Sequence, residues 1–301
     1  MKTSTEQDYK RRILRVLIFI QNHLDEAVSL DELAALANFS PFHFHRVFTG
    51  MVGESVMEYV RRLRLERAAC DLKNTRRGVT AIAFDAGYET LDAFIRAFKV
   101  LFGVTPTAFR RSAQLPVAPS PVAGLHYDPD GEVTDFDPIN TGGSAMKVEV
   151  RSIPKMKVAF VRGIGPYSQS AGAAWGKLCS WAGPRGLIGP KTRFVGLSHD
   201  DPEVTAAEKI RYDACIILDR DITPEGDIGV QEIGGGSYAV TVHEGPYETM
   251  SKTYSRMCGE WIPKNGYRFL PGPSLEIYLN EPGSTPPDKL QTEIHVAVER
   301  E

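Results

Sequence analysis

The run Leu275-Glu276-Ile277-Tyr278-Leu279 alternates apolar and polar residues. As a strand it sends three aliphatics to one face and Glu276 with Tyr278 to the other. A carboxylate beside an aromatic ring attracts cations twice, through its charge and through the ring quadrupole. Eighty residues earlier the chain reads Phe194-Val195-Gly196-Leu197-Ser198, with Gly196 in the place of Glu276 and Ser198 in that of Tyr278. The charge therefore occurs once in a segment that otherwise repeats, which favours a function over the plainer reading of a solvated strand residue. Gly165-Pro166-Tyr167 likewise recurs as Gly245-Pro246-Tyr247. That makes Tyr167 and Tyr247 equivalent, either as ring walls or as residues serving only the turn. Trp175 follows on the first helix and is expected in the cleft between the halves, whereas Trp181 and Trp261 repeat each other and read as core. Glu293 is matched by Asp213, so a structural or surface role suits that pair.

Other chemistry is sparse. No zinc-ligand spacing and no nucleophile elbow occurs, so no catalytic residue, metal or cofactor is expected. His43 and His45 stand two apart on a helix and point to different faces, which leaves His43 as a packed or hydrogen-bonded residue. Gly234-Gly235-Gly236 precedes no phosphate-binding helix and reads as a loop, and His199-Asp200-Asp201 as a strand-end turn. Four scattered cysteines read as reduced thiols. The apolar stretch from Ile13 to Ile20 is too short for a signal peptide and is interrupted by Arg15, so the expected location is the cytoplasm, with no membrane partner.

Net charge is −3 over 301 residues, but the charge is unevenly spread. Residues 1–112 hold 17 Lys+Arg against 13 Asp+Glu, a net of +4, and the remainder holds 18 against 25, a net of −7. A basic module beside an acidic one fits a phosphate-facing domain joined to a partner with another task. The basic module repeats itself. Ser29 caps a short helix with Glu32 in capping-box position, Asn38 suits a left-handed stop, and Ser40-Pro41 opens a second helix. Phe44, Val47, Phe48 and Met51 form its buried stripe, leaving Phe42, His45, Arg46 and Thr49 on the other face. Fifty residues on, Phe94, Ala97, Phe98 and Leu101 repeat the stripe after Gly87 and the cap Thr90, with Arg96 falling on Arg46. Two helix-turn-helix units in register, joined by a long helix from Glu54 to about Asn74, are the expected architecture.

The run Ile82 to Tyr88, then Phe94-Ile95-Arg96-Ala97-Phe98-Lys99, Phe102-Gly103 and Thr105-Pro106, closely resembles the AraC/XylS transcription regulators over about residues 10–112. That resemblance implies double-stranded DNA as partner, each second helix entering a major groove, and RNA polymerase as a further partner of a bacterial regulator. Carried over by position, Phe42, His45 and Arg46 face DNA from the first unit, and Thr90, Asp92, Arg96 and Lys99 from the second. Arginine suits guanine, lysine suits phosphate, and Asp92 can accept from cytosine but repels phosphate. Phe42 contacts a thymine methyl or is simply an exposed surface residue.

Residues 146–299 alternate strands and helices in two strand-helix-strand-strand repeats and resemble the GyrI-like effector-binding domains. The family has an aromatic-lined pocket with a central glutamate that receives lipophilic cations, and Glu276 stands at the matching position. The expected organisation is thus two domains: an all-α double helix-turn-helix at 1–112 and an α+β GyrI-like domain at 147–301. Between them, 113–146 is a Pro-rich linker, either extended or laid across a domain surface. The leading functional expectation is a DNA-binding regulator that senses a small, lipophilic or cationic effector. The alternatives are a GyrI-like hydrolase tethered to DNA, with Glu276 activating water, and a protein-interaction domain of the gyrase-inhibiting kind.

Overall fold

The structure is a computed structural model that describes residues 4–115, 124–131, 133–139 and 146–301. Its contacts define two compact units, Gln7–Thr141 and Gly142–Glu301 with Met1–Glu6. Prolines 116, 119 and 121 of the expected linker lie outside the described residues.

The first unit holds seven helices among the described residues: α1 Ser4–Asn22, α2 Leu30–Leu36, α3 Pro41–Val52, α4 Val56–Asn74, α5 Val79–Asp85, α6 Leu91–Phe102 and α7 Pro106–Arg111. Local chemistry sets their ends. Ser29, Ser40, Thr90 and Thr105 each accept a hydrogen bond from a backbone N–H of the following first turn. Ser55 and Glu58 close a full capping box on α4. Asn38 takes φ 52° at the first turn, and Gly87 takes φ 80° at the second, the left-handed stops their types favour. The fifty-residue repeat is a repeat of packing. Phe44 lies 5.8 Å from Phe48 and Phe48 5.8 Å from Tyr59, while Phe94 lies 5.5 Å from Phe98 and Phe98 5.3 Å from Phe109.

Described residues of the segment 113–146 bond to the helices of the first unit. Glu66, 1% exposed, accepts from Arg62, from the Tyr127 backbone N–H at 2.6 Å and pairs with His126 at 3.1 Å. Gln21 holds the His126 carbonyl at 2.8 Å, Lys10 pairs with Asp135 at 2.7 Å, and the Ile139 N–H donates to the Met51 carbonyl at 2.9 Å. Residues 126–139 thus touch α1, α3 and α4, the three longer helices around the first helix-turn-helix.

The second unit is a nine-stranded sheet whose paired strands all run antiparallel among the described residues: β1 Glu149–Ile153, β2 Met156–Ile164, β3 Phe194–Ser198, β4 Arg211–Ile217, β5 Gly229–Ile233, β6 Gly236–Glu244, β7 Tyr267–Phe269, β8 Ser274–Tyr278 and β9 Gln291–Arg300. Helix α8 Tyr167–Ala182 follows β2. After β6, α9 Met250–Arg256 runs through a π turn, Met257–Trp261, into α10 Ile262–Lys264. The strand order β1-β6-β9-β8-β3-β4-β2-β5 reads the same backwards once β1 is exchanged with β5, β2 with β6, β3 with β8 and β4 with β9. Each repeat therefore gains a leading strand beyond the expected strand-helix-strand-strand. Those leading strands are exchanged: β1 pairs with β6 of the second repeat, and β5 with β2 of the first. Gly234, Gly235 and Gly236, all at positive φ, carry β5 into β6 without a break in register against β2 and β1, a short bend in place of the expected flexible loop. Apolar residues of each helix pack on one sheet face, as in Ala174, Leu178 and Ala182 against Ala159, Val161 and Ala214.

The exchanged strands generate a prediction. A chain ending at Gly229 loses β6, the partner of β1, and β5, the partner of β2, along with the β8 edge that β3 pairs with. It should remain unfolded or aggregate, because unpaired edges and an uncovered apolar face are both exposed. A soluble product with a cooperative thermal transition by circular dichroism would refute the exchange as a requirement for folding.

Candidate functional site

Strands β3 and β8 are repeat-equivalent and pair antiparallel, with Gly196 opposite Glu276. Since these two residues are also equivalent by the eighty-residue offset, the pseudo-twofold axis passes between them. The carboxylate of the site sits on that axis, on the strand pair where the halves meet.

Glu276 is 5% exposed and held by three hydroxyls. Its Oε1 accepts from Ser198 at 2.7 Å and from Tyr254 at 3.0 Å, and its Oε2 accepts from Tyr278 at 3.1 Å. The Tyr278 hydroxyl lies 2.7 Å from that of Tyr212, which in turn accepts from the Trp175 indole N–H at 3.1 Å. With Tyr278 donating to the carboxylate, the chain of donors runs from Trp175 through Tyr212 and Tyr278 to Glu276. Burial, followed by nearby Glu276, pushes the Tyr212 phenol well above its ordinary range; burial does the same for Tyr278, followed by Tyr212 and Glu276. Both phenols stay protonated and able to donate.

The rings close around this group edge to face. Trp175 stands 5.8 Å from Tyr278 and from Phe194, Tyr247 5.5 Å from Tyr278, and Tyr167 5.7 Å from Tyr212. All five residues expected at the ligand site, Glu276, Tyr278, Tyr167, Tyr247 and Trp175, therefore meet in one cluster. The Tyr167 hydroxyl donates to the Asp200 carbonyl, whereas Tyr247 is 36% exposed. Sequence reasoning missed Tyr212, Tyr254 and Ser198 as partners. The same signal that flagged Glu276 was available for all three, because Tyr212 is matched by Thr292, Tyr254 by Ala174 and Ser198 by Tyr278 across the repeat.

Asp213 and Glu293 lie on the opposite sheet face and form matching ion-pair clusters, in keeping with a structural role. Burial alone would raise the Asp213 carboxyl, but Arg162 at 2.7 and 2.8 Å, His199 at 2.8 Å and Gln231 at 3.0 Å hold it far below its usual range. Glu293 is likewise lowered against burial by Arg151 and His295. Trp181 and Trp261 are half-buried and pack against the core of their own repeats. Among the described residues no cluster of three or more His, Cys, Asp or Glu is placed to hold a metal, and no helix is long and apolar enough to cross a membrane.

The two helix-turn-helix units differ. On α6 and its cap, Thr90, Asp92, Arg96 and Lys99 are all exposed, forming an open polar face. On α3 the expected outward face is not open. His45 is 5% and Arg46 6% exposed, and Phe42 is half-buried. Arg46 folds back along its own helix, its guanidinium 3.8 Å from the centre of the Phe42 ring, an i, i+4 cation–π contact. His45 lies within electrostatic reach of Glu58 at the start of α4. His43 is packed as expected: its ring bonds Ser40 at 3.0 Å, and burial, with Arg46 adding repulsion, lowers its pKa to about 3.

The glycine opposite Glu276 gives a sharp test. An ideal Cβ on Gly196 would stand 2.5 Å from the Tyr212 hydroxyl and 2.7 Å from that of Tyr278. Gly196→Ala should force the tyrosine pair apart, cost ~1–3 kcal/mol of stability and alter Trp175 emission. Unchanged chemical denaturation and unchanged emission would show that the pair has room to spare.

Residues 146–299 match the family described as the GyrI-like small molecule binding domain, and residues 33–112 match a helix-turn-helix domain. Transcriptional regulator Rob of Salmonella typhimurium is 37% identical over 99 residues, 33% of this chain and 34% of that protein. The transposon Tn10 TetD protein of Escherichia coli is 34% identical over 97 residues, covering 32% of this chain and 70% of that one. A DNA gyrase inhibitor of Escherichia coli strain K12 is 31% identical over 138 residues, 45% of this chain and 87% of the inhibitor. The chain thus spans about a third of the length of Rob, and relatives of different kinds match its two parts. It belongs to the GyrI-like small-molecule-binding family, in a chain that also carries an AraC-type helix-turn-helix domain.

Proposed function

We propose that this chain is a sequence-specific DNA-binding transcription regulator whose GyrI-like domain binds a lipophilic cationic effector at Glu276. The observation that carries the effector half is a buried carboxylate on the pseudo-twofold axis, walled by aromatic rings from both repeats. A buried carboxylate is costly without compensation, and here, among the described residues, neutral hydroxyls supply it. A cation brought among these rings gains the full charge interaction at low local dielectric, together with ring-quadrupole attraction. We favour binding over hydrolysis because both carboxylate oxygens are already engaged, which leaves Glu276 poorly placed to activate a water.

The DNA half rests on the exposed face of α6 and on the relatedness of residues 33–112 to helix-turn-helix regulators. Arg96 and Lys99 are positioned to read guanine and hold phosphate, with Thr90 and Asp92 at the end of the helix that leads into the groove. The first unit contributes Phe42, His45 and Arg46 once the buried His45 and Arg46 give up the contacts they make here.

Two measurements test these halves separately. Glu276→Gln keeps shape and removes charge, so it should weaken a lipophilic cation by tenfold or more while a neutral isostere loses little. Calorimetric titration of the matched pair against both proteins decides it, and equal losses would mean that Glu276 shapes the site without reading charge. On DNA, Arg96→Ala and Arg46→Ala should each cost ~1–3 kcal/mol and relax base preference at positions about one helical turn apart. Selection of bound sequences from a random pool reads this directly. If both variants weakened all sequences alike, the arginines would be phosphate clamps.

A further inference from the structure

The internal symmetry lets every side chain around Glu276 be compared with a counterpart eighty residues away. In the first repeat the Tyr212 hydroxyl is fully engaged, accepting from the Trp175 indole N–H and bonding the Tyr278 hydroxyl. Its counterpart in the second repeat is Thr292, 1% exposed, whose hydroxyl has no hydrogen-bond partner among the described residues. The neighbouring helix supplies the reason. Trp175 is matched there by Ser255, whose short side chain brings no indole N–H over the strand.

Thr292 belongs to the Glu276 site by register. It stands directly opposite Tyr278 on β8 and opposite His243 on β6. It shares a sheet face with Ile294, which pairs with Glu276 and packs beside Tyr254, so Glu276 and Thr292 are diagonal neighbours roughly 7–8 Å apart. His243 does not satisfy the hydroxyl: its Nδ1 bonds Thr253 at 2.8 Å, and its Nε2 faces the Pro246 carbonyl at 3.1 Å and Thr249 at 3.2 Å. A buried hydroxyl left without a partner destabilises the fold, and a bound donor to its oxygen relieves part of that cost. Tyr247, 36% exposed, packs edge to face on Tyr278, the residue opposite Thr292, and is the most exposed ring of the cluster.

We propose that the effector supplies to the second repeat what Trp175 supplies to the first. It places a flat aromatic group carrying an N–H or O–H donor beside Ser255 and under Tyr247, donates to Thr292, and sets its cationic centre at Glu276. The preferred class is therefore lipophilic cations with an aromatic amine or hydroxyl, rather than donor-free cations of the same shape. This rests on the cation-binding reading and adds a second polar anchor to it.

The test uses the full chain and two probes of matched shape, benzyltriphenylphosphonium and 4-aminobenzyltriphenylphosphonium, titrated calorimetrically. The amine should bind the native protein about three- to tenfold more tightly, the range expected for one net hydrogen bond. Thr292→Val should bring the two affinities together by weakening only the amine, and Thr292→Ser should keep the preference. Without ligand, Thr292→Val should melt no lower than the native protein, since it deletes an unsatisfied group. The proposal is overturned if the native protein shows no preference, if the preference survives in Thr292→Val, or if that variant melts several degrees lower. Failure of the underlying reading looks different: neither phosphonium binds, or Glu276→Gln leaves both affinities unchanged.

Discussion

The GyrI-like domain is organised by one constraint, that a residue on a pseudo-twofold axis faces its own counterpart. Had both repeats carried glutamate there, two carboxylates would stand directly opposite at about 4.5–5.5 Å and repel. The pairing of Gly196 with Glu276 resolves this, leaving one charge and one bare stretch of backbone. The bare backbone matters as much as the charge. Over it come the Tyr212 and Tyr278 hydroxyls, meeting at 2.7 Å where no Cβ stands in the way.

The same logic of complementary differences fills the rest of the site. Trp175 and Ala174 in the first repeat face Ser255 and Tyr254 in the second, and Tyr212 with Ser198 are matched by Thr292 with Tyr278. Large side chains in one repeat are thus matched by small ones in the other, and the symmetry is broken at each of these positions. Exchange of β1 and β5 makes the two repeats a single cooperative object, which holds the axis, and hence Glu276, in fixed register. A site on that axis receives groups from both halves and is sensitive to any shift of one against the other.

The helix-turn-helix unit is duplicated in packing but not in exposure. Its two phenylalanine stripes superpose in sequence and in ring geometry. Yet α6 presents its polar face while His45 and Arg46 on α3 are covered. The segment 126–139 engages the surroundings of the first unit, through Glu66, Gln21, Lys10 and the carbonyl of Met51.

Much of this was legible in the sequence, and the reasons are local. Caps at Ser29, Ser40 and Thr90, stops at Asn38 and Gly87, and apolar stripes at helical spacing depend on side chains reaching their own turn, so they fixed the helices and their duplication. Alternation in β8 put Glu276 and Tyr278 on one face, and comparison with Gly196 singled out the glutamate. Three things were settled only in three dimensions. The leading strands β1 and β5 pair with the other repeat, a partnership no local pattern encodes. Arg46 lies on the ring of Phe42, its i, i+4 neighbour, although its helical position is equally suited to an outward reach. Finally, which hydroxyls reach Glu276, and why that of Thr292 is left without a partner among the described residues, depends on the distance between sheet and helices, and residue order alone does not set that distance.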